Sequence, residues 1–360
     1  MIFDELKPKK NVLLSEMNDN DLKYIITLIN SFYLQLRNQI KIDSNSTFGL
    51  EVEFNSNSRQ DFTIFDLSEE FNSKHFKTFS ATQDCEKVEV NSGILRNQIK
   101  TWKSIKEVLD IVKSYGTIAE NCSGHVNIGT QILGDDNKTW LNFVLLWASY
   151  EDIIFRFTSG EFKSIRLRAN YYAKPVAYKY KEFFEQIQES LKTNPLLLKE
   201  CDTKTFIYKI NTLFTRYFGP VDRYTSVNLF RATNPRKCEF ANVIEFRCPN
   251  ASLDAVIWQN NINFFIKFLN YCKRHDFDYE TILKRLIAVK KCSILEYNEI
   301  NLKKAIELGD LIFDNNLDKV YFLRQYIKSF TTSRNEREKA KQFTINSWFL
   351  HLFLVKLGCP

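Results

Sequence analysis

The sequence lacks any long apolar run and any closely spaced pair of cysteines. No apolar stretch reaches 18 residues, so none is long enough to predict a transmembrane helix. The eight cysteines are scattered singly, which is typical of reduced thiols and not of a small disulfide-stabilised domain. The first ten residues, MIFDELKPKK, carry acids and lysines where a secretory signal would carry an apolar run. These absences predict a cytoplasmic protein with no membrane partner.

A strong excess of charge of one sign is also missing. The 50 basic and 43 acidic residues leave a net charge of +7, which suits a phosphate-bearing ligand as well as a nucleic acid. No nucleic-acid-binding motif accompanies this charge, so no nucleic-acid partner is predicted. The hydrophobic share of 44% and the aromatic share of 14% exclude a mostly disordered chain and predict a substantial folded core.

What the sequence does contain is a repeated alternation of apolar and polar residues, first seen in TFGLEVEFNSNS at positions 47–58. Successive side chains of a β-strand point to opposite faces. A strand here would therefore bury its apolar residues on one face and present Glu51 and Glu53 on the other. The segments KVEVN, HVNIG and NVIEFR show the same alternation and would add Glu89, His125, Glu245 and Arg247 to a polar face.

These strands predict an α+β fold: an antiparallel β-sheet with one carboxylate-lined face, helices packed on its other face, and a helical C-terminal region. Residues 1–44 are expected to form an N-terminal helical extension, residues 45–277 the domain that contains the sheet, and residues 278–360 the C-terminal helices.

Local patterns give the expected element boundaries. Helical periodicity predicts helices over 19–41, 99–112, 139–157, 178–192, 202–216 and 253–274, and over most of the chain after 278. Alternation and turn-forming residues predict strands at 47–54, 61–66, 76–83, 86–92, 122–129, 224–231 and 241–248. Gly116 is expected to end the second helix, and Asn250 or Ser252 is expected to cap the sixth.

The acidic residues of the polar face form a hypothetical metal site. Carboxylates that face each other on a sheet repel, so a cluster without matching lysines requires a cation. Carboxylate oxygens with one imidazole suit Mg²⁺ or Mn²⁺ better than Zn²⁺. Glu51 and Glu53, about 6.6 Å apart along a strand, could serve two ions, as in phosphoryl transfer. The alternative for each glutamate by itself is an ordinary solvated side chain.

Five segments, taken in order, resemble the motifs of the carboxylate-amine ligases of the glutamine synthetase and glutamate-cysteine ligase superfamily, and most closely the putative amidoligase family. The segments are TFGLEVEF, DCEKVEVNSGIL, CSGHVNIG, RYTSVNL and NVIEFRCPN, and the resemblance covers about residues 45 to 275. It implies an antiparallel sheet whose concave face binds ATP and Mg²⁺ (or Mn²⁺). It also implies a reaction in which a carboxylate attacks the γ-phosphate of ATP and an amine captures the acyl phosphate. The implied substrates are small amino-acid-like molecules or peptide or protein groups.

The resemblance also implies residue roles. Glu51, His125 and Glu245 would hold one ion, and Glu53 and Glu89 would hold another near the acceptor carboxylate. Arg247 would stabilise the transferring phosphoryl group, and Arg223, with Asn127 and Asn228, would contact the nucleotide. Arg166 or Arg168, with Asp84, would bind substrate. The family strand usually carries a second histidine where this chain has Asn127. This departure concerns the expected nucleotide contacts and not the metal face.

Other functions fit the same residues. The carboxylates could activate water in a metal-dependent hydrolase or nuclease. A kinase that phosphorylates guanidino or amine groups would share the general sheet architecture. A catalytically inactive binding module would keep the sheet as a scaffold without the catalysis. The oligomeric state and the substrates themselves are not predicted.

Overall fold

The computed structural model describes residues 11–31, 33–119, 121–162, 164–166, 168–214, 223–233 and 242–327. The chain forms two compact units. One comprises Met1–Leu36 and Glu299–Pro360, and the other comprises Arg37–Asn298. The domain boundaries expected from the sequence stay predictions.

The described residues form the following strands and helices. The strands are β1 (Thr47–Ser56), β2 (Phe79–Asp84), β3 (Lys87–Ser92), β4 (Leu95–Arg96), β5 (Gly116–Thr117), β6 (Gly124–Gly129), β7 (Val227–Asn228) and β8 (Val243–Phe246). The helices are α1 (Asp19–Ser31), α2 (Gln60–Ser73), α3 (Ile99–Tyr115), α4 (Asn137–Thr158), α5 (Ala169–Tyr172), α6 (Ala177–Thr193), α7 (Leu197–Glu200), α8 (Thr203–Thr212), α9 (Phe230–Thr233), α10 (Ala255–Cys272), α11 (Tyr279–Ile287), α12 (Leu302–Ile312) and α13 (Asn316–Ile327). Short 3-10 helices lie at Leu14–Glu16, Thr130–Ile132 and Ile294–Asn298.

The larger unit is built on one open antiparallel sheet. Its strands lie in the order β2-β3-β1-β6-β8-β7, and the two-residue strands β4 and β5 pair with opposite ends of β1. This confirms the predicted α+β class and the antiparallel sheet. The described chain after 278 is helical, as expected, up to Ile327, and the later part of that region lies outside the described residues.

Helices cover the apolar face of the sheet. The ring of Phe48 on β1 stacks on Trp102 of α3, with ring centroids 5.3 Å apart. On β8, Phe246 stacks on Phe265 of α10 at 4.0 Å and on Trp147 of α4 at 5.5 Å. Offset stacking of buried rings adds to the stabilisation from the apolar area that they bury. The opposite face of the sheet carries the polar side chains.

One predicted strand is wrong. Residues 61–66 belong to helix α2. Thr63, Leu67 and Phe71 are buried at a spacing of four residues, whereas Phe62 and Phe65 are exposed. The apolar and β-branched residues of this segment favour a strand locally, but packing of one helical face decides the structure.

Other boundaries also differ from expectation. Helix α1 ends at Ser31 instead of continuing to residue 41. Strand β7 is only two residues long, because the side-chain oxygen of Asn228 accepts a hydrogen bond from the backbone N–H of Phe230 at 2.9 Å and turns the chain. Helix α10 is capped by Asp254, whose carboxylate accepts from Val256 N at 2.9 Å. The expected end of α3 before Gly116 is confirmed.

Among the helices in the described part of the chain, none combines the length and the apolar character that crossing a membrane requires.

Candidate functional site

Polar side chains from four strands meet on the polar face of the sheet. Strand register places Glu53 of β1 opposite Glu89 of β3, and Glu51 opposite His125 of β6. Glu245 of β8 follows in the next row, opposite Asn127. The alternation in each strand therefore brings together side chains that are far apart in sequence.

Glu51 lies at the centre of this face. Its Oε2 atom is 2.7 Å from Nδ1 of His125, and the Asn127 amide donates a hydrogen bond to Oε1 at 2.8 Å. The guanidinium group of Arg231 lies 3.5 Å from the same Oε1. Burial alone would raise the pKa of Glu51, but the histidine, the amide and the arginine outweigh it and lower the pKa to about 2. Glu51 is therefore a carboxylate with a fixed negative charge.

Glu89 is the neighbouring acid with the opposite shift. Burial, followed by the charge of Glu51, raises the pKa of Glu89 to about 7. The Asn91 amide donates to Glu89 Oε1 at 3.0 Å and holds the side chain in place. Burial and the neighbouring carboxylate thus both favour the protonated form of Glu89.

Glu51, Glu89 and His125 form the first acid group. Each has a potential ligand atom within 4.8 Å of those of the other two. His125 is only 4% exposed, and its Nε2 atom is buried without a hydrogen-bond partner among the described residues. Two carboxylates and an imidazole suit Mg²⁺ or Mn²⁺, so these residues fit a divalent ion.

Glu53, Asp84 and Glu89 form the second acid group, whose oxygens also lie within 4.8 Å of one another. Here the expectation of a cluster without matching lysines is wrong. The Lys87 ammonium group donates to Glu53 Oε2 at 2.6 Å. The Ser123 N–H donates to the same oxygen at 2.8 Å, and the Ser123 hydroxyl donates to Oε1. These donors outweigh the effect of burial and lower the pKa of Glu53.

Glu245 is held beside the first acid group. It is 2% exposed, and its Oε1 atom lies 3.6 Å from Nδ1 of His125. Asn228 donates to Oε2 at 2.6 Å, and Arg247 donates to Oε1 at 2.5 Å. The amide of Asn228 therefore orients Glu245. The nucleotide contact predicted for Asn228 stays a prediction.

Two predicted arginines lie close to one tyrosine ring. The guanidinium carbon of Arg247 is 5.6 Å from the ring centroid of Tyr224, and that of Arg223 is 5.2 Å from it. Arg247 also donates from Nε to the backbone carbonyl of Tyr172 at 3.1 Å. Arg223 is exposed, so its guanidinium group is open to a ligand from solvent.

The predicted substrate-binding residues have very different surroundings. Arg166 is 2% exposed and donates to the backbone carbonyls of Arg247, Cys248 and Pro249. Arg168, at the start of α5, is exposed. Asp84 is exposed at the end of β2 and belongs to the second acid group. Arg166 therefore acts on the backbone that follows β8, which leaves Arg168 as the arginine that solvent can reach.

A cavity of about 720 Å³ opens beside Glu51. Asn127 lines it together with two cationic side chains, Lys77 and Arg231. Sequence reasoning did not select Lys77 or Arg231, because neither belongs to one of the alternating segments. It did not select Ser123 either, although Ser123 lies two residues before His125 and shares its period-two face. Lys87 carried a usable signal, since it shares the period-two face of Glu89.

A family model described as putative amidoligase enzyme matches residues 34–269, which is well over half of the chain. The match includes every strand of the sheet. No curated protein sequence matches the chain.

Proposed function

Since this chain belongs to the putative amidoligase enzyme family, we propose that it is a ligase that joins a carboxylate to an amine and depends on ATP and on Mg²⁺ or Mn²⁺. The proposed substrates are small amino-acid-like molecules, or peptide or protein groups that carry the carboxylate and the amine. A carboxylate oxygen attacks the γ-phosphorus of ATP, the bond from that phosphorus to the bridging oxygen breaks, and ADP leaves. The amine then attacks the acyl carbon and loses a proton, and phosphate leaves as the amide forms.

The grouping of Glu51, Glu89 and His125 carries this proposal. An ion bound there supplies positive charge that offsets the charge of the phosphate oxygens during transfer. Asn127 and His125 fix the Glu51 carboxylate, and Asn91 fixes that of Glu89. The chain thus fixes the positions of these carboxylates, and of an ion that they would hold, before any substrate arrives. Such preorganisation is the main source of electrostatic catalysis.

Cationic side chains near this group suit an anionic ligand. Lys77 and Arg231 line the cavity next to Glu51. Arg247 is held by Glu245 and by a backbone carbonyl, so its guanidinium group is already oriented. Guanidinium groups bind phosphate oxygens through paired hydrogen bonds. Arg247 and the exposed Arg223 are accordingly proposed to contact the phosphates during transfer.

Nucleotide binding tests the site directly. We expect ATP with Mg²⁺ to bind the native protein in calorimetry, and the Glu51→Gln variant to bind it at least about tenfold more weakly. Glu86→Gln is the matched control, because Glu86 is an exposed glutamate in the turn between β2 and β3. Equal affinity of the native protein and Glu51→Gln for the nucleotide would remove Glu51 from the site.

Product analysis separates the proposed reaction from its alternatives. The protein is mixed with ATP, Mg²⁺ and a panel of amino acids, and the products are identified by mass spectrometry. A condensation product formed together with ADP supports the ligase, and a phosphorylated acceptor indicates a kinase. Cleavage without nucleotide indicates a hydrolase or nuclease. Absence of both nucleotide and ion binding in the native protein indicates the catalytically inactive binding module.

A further inference from the structure

Lys87 is a cation built into the acidic face of the sheet. Its side chain is 12% exposed, and its ammonium group donates to Glu53 Oε2 at 2.6 Å and to the backbone carbonyl of Asn121. Across the turn between β2 and β3, Lys87 is paired in register with Asp84. The ammonium group is therefore held by the buried carboxylate of Glu53 on β1 and by the Asn121 carbonyl, and the hairpin register sets the backbone position of Lys87.

The second acid group is where this cation acts. Glu53, Asp84 and Glu89 bring three carboxylates within 4.8 Å of one another, which is a set of oxygen ligands that suits a divalent ion. Both oxygens of Glu53 are already occupied by the donors of Lys87 and Ser123. An ion at Glu53 Oε2 would compete with Lys87 for that oxygen, and displacing the ammonium group would break a buried ion pair.

The first acid group differs in this respect. Its histidine is 4% exposed, and the Nε2 atom has no hydrogen-bond partner among the described residues. No lysine is paired with Glu51 or Glu89 among the described ion pairs. The cation beside the first group, Arg231, is 43% exposed and lies 3.5 Å from Glu51 Oε1, whereas Lys87 is 12% exposed and lies 2.6 Å from Glu53 Oε2. The second group is therefore the one whose charge a buried, closely bonded cation of the chain already offsets.

We infer that Lys87 takes the place of one divalent ion, so that the chain binds a single ion at Glu51, Glu89 and His125 while the Lys87 ammonium group neutralises Glu53. This inference rests on the proposed function for the role of the first ion. For the reaction, the ammonium group would supply fixed positive charge at the position where the family resemblance implies a second ion near the acceptor carboxylate.

The test counts bound ions directly. Mn²⁺ is titrated by calorimetry into the native protein, into Lys87→Met and into the double variant Lys87→Met with Glu53→Gln. We expect one ion for the native protein, two for Lys87→Met and one for the double variant. Lys106→Met is the matched control, since it removes a lysine from an exposed ion pair with Asp110, and it should leave the count at one. Circular dichroism verifies that each variant is folded.

Each outcome decides the inference. Two ions in the native protein, or an unchanged count in Lys87→Met, would overturn it and leave the proposed ligase intact. A native protein that binds no ion would overturn the inference and would also refute the metal site of the proposed function. If Lys87→Met is unfolded, Lys87→Gln is titrated in its place with the same criteria.

Discussion

Arg166 and Arg168 are two residues apart in sequence, and their surroundings are opposite. The Arg166 guanidinium group donates to the Arg247 carbonyl at 2.6 Å and also to the carbonyls of Cys248 and Pro249. Burial lowers the pKa of Arg166 to about 10. Because the N–H donors of Arg166 bond to main-chain carbonyls, this side chain stabilises the backbone after β8 and has few donors available for a substrate.

We therefore expect Arg166→Lys to lower the free energy of unfolding by about 1–3 kcal/mol, because one ammonium group cannot satisfy three carbonyls held in this geometry. Urea denaturation measures the change. Arg168→Lys serves as the control and should leave stability unchanged, since Arg168 is exposed. If Arg166→Lys is as stable as the native protein but binds the acid substrate more weakly, Arg166 binds substrate, as the resemblance implies.

At the scale of elements, the hairpin of β2 and β3 carries much of the site. Its strands pair from Phe79 with Ser92 to Asp84 with Lys87, which leaves a two-residue turn. The first turn residue, Cys85, has φ of 53°, in the left-handed region that favours glycine. The turn positions both Lys87 and Glu89, so its conformation sets the spacing of the second acid group.

Replacing the first turn residue should stabilise this hairpin. We expect Cys85→Gly to raise the free energy of unfolding by about 0.5–1 kcal/mol, because the relief of left-handed strain exceeds the entropy that glycine gains in the unfolded chain. The change is measured by urea denaturation under reducing conditions. Cys85→Ala removes the thiol but keeps a Cβ atom, so it should show no such gain. Equal stabilisation by alanine would attribute the effect to the sulfur atom and not to the backbone.

At the scale of the molecule, one buried carboxylate ties distant parts of the larger unit together. Glu151 of α4 is 1% exposed. Its oxygens accept hydrogen bonds from Trp147 Nε1 at 2.9 Å, Val176 N at 2.8 Å, Ala177 N at 2.8 Å, the Ser226 hydroxyl at 2.6 Å and the Tyr297 hydroxyl at 3.1 Å. These donors belong to α4, to the start of α6, to the segment before β7 and to the last 3-10 helix of this unit. The helical layer and the edge of the sheet thus share one acceptor.

Loss of this acceptor should destabilise the whole unit. We expect Glu151→Gln to lower the free energy of unfolding by about 3 kcal/mol, because the amide NH₂ group of glutamine would face buried donors. Glu182→Gln is the control: it changes a partly exposed glutamate that pairs with Lys179 at the surface of α6, and its effect should stay within about 0.5 kcal/mol. Thermal and urea unfolding both report the difference. A Glu151→Gln variant as stable as the control would show that the donors find other partners.

The sequence by itself determined which side chains share a face. Glu51 and Glu53, and likewise His125 and Asn127, point the same way because the period of two is a property of each strand alone. The family resemblance follows from the same segments, since the motifs lie within the strands. The alternation failed where packing overrode local preference, as in the helix that contains Phe62 and Leu67, and where a turn ended a strand early, as at Asn228.

Only the tertiary structure decided which strands are neighbours and therefore which charges meet. Because β3 lies beside β1 in the sheet, Lys87 reaches Glu53, 34 residues away in sequence. Arg166 reaches the carbonyls after β8 over 81 to 83 residues in the same way. Strand order and register depend on long-range packing of the helices against the apolar face. A local pattern shows the direction in which a side chain points, but it does not show which side chain lies opposite.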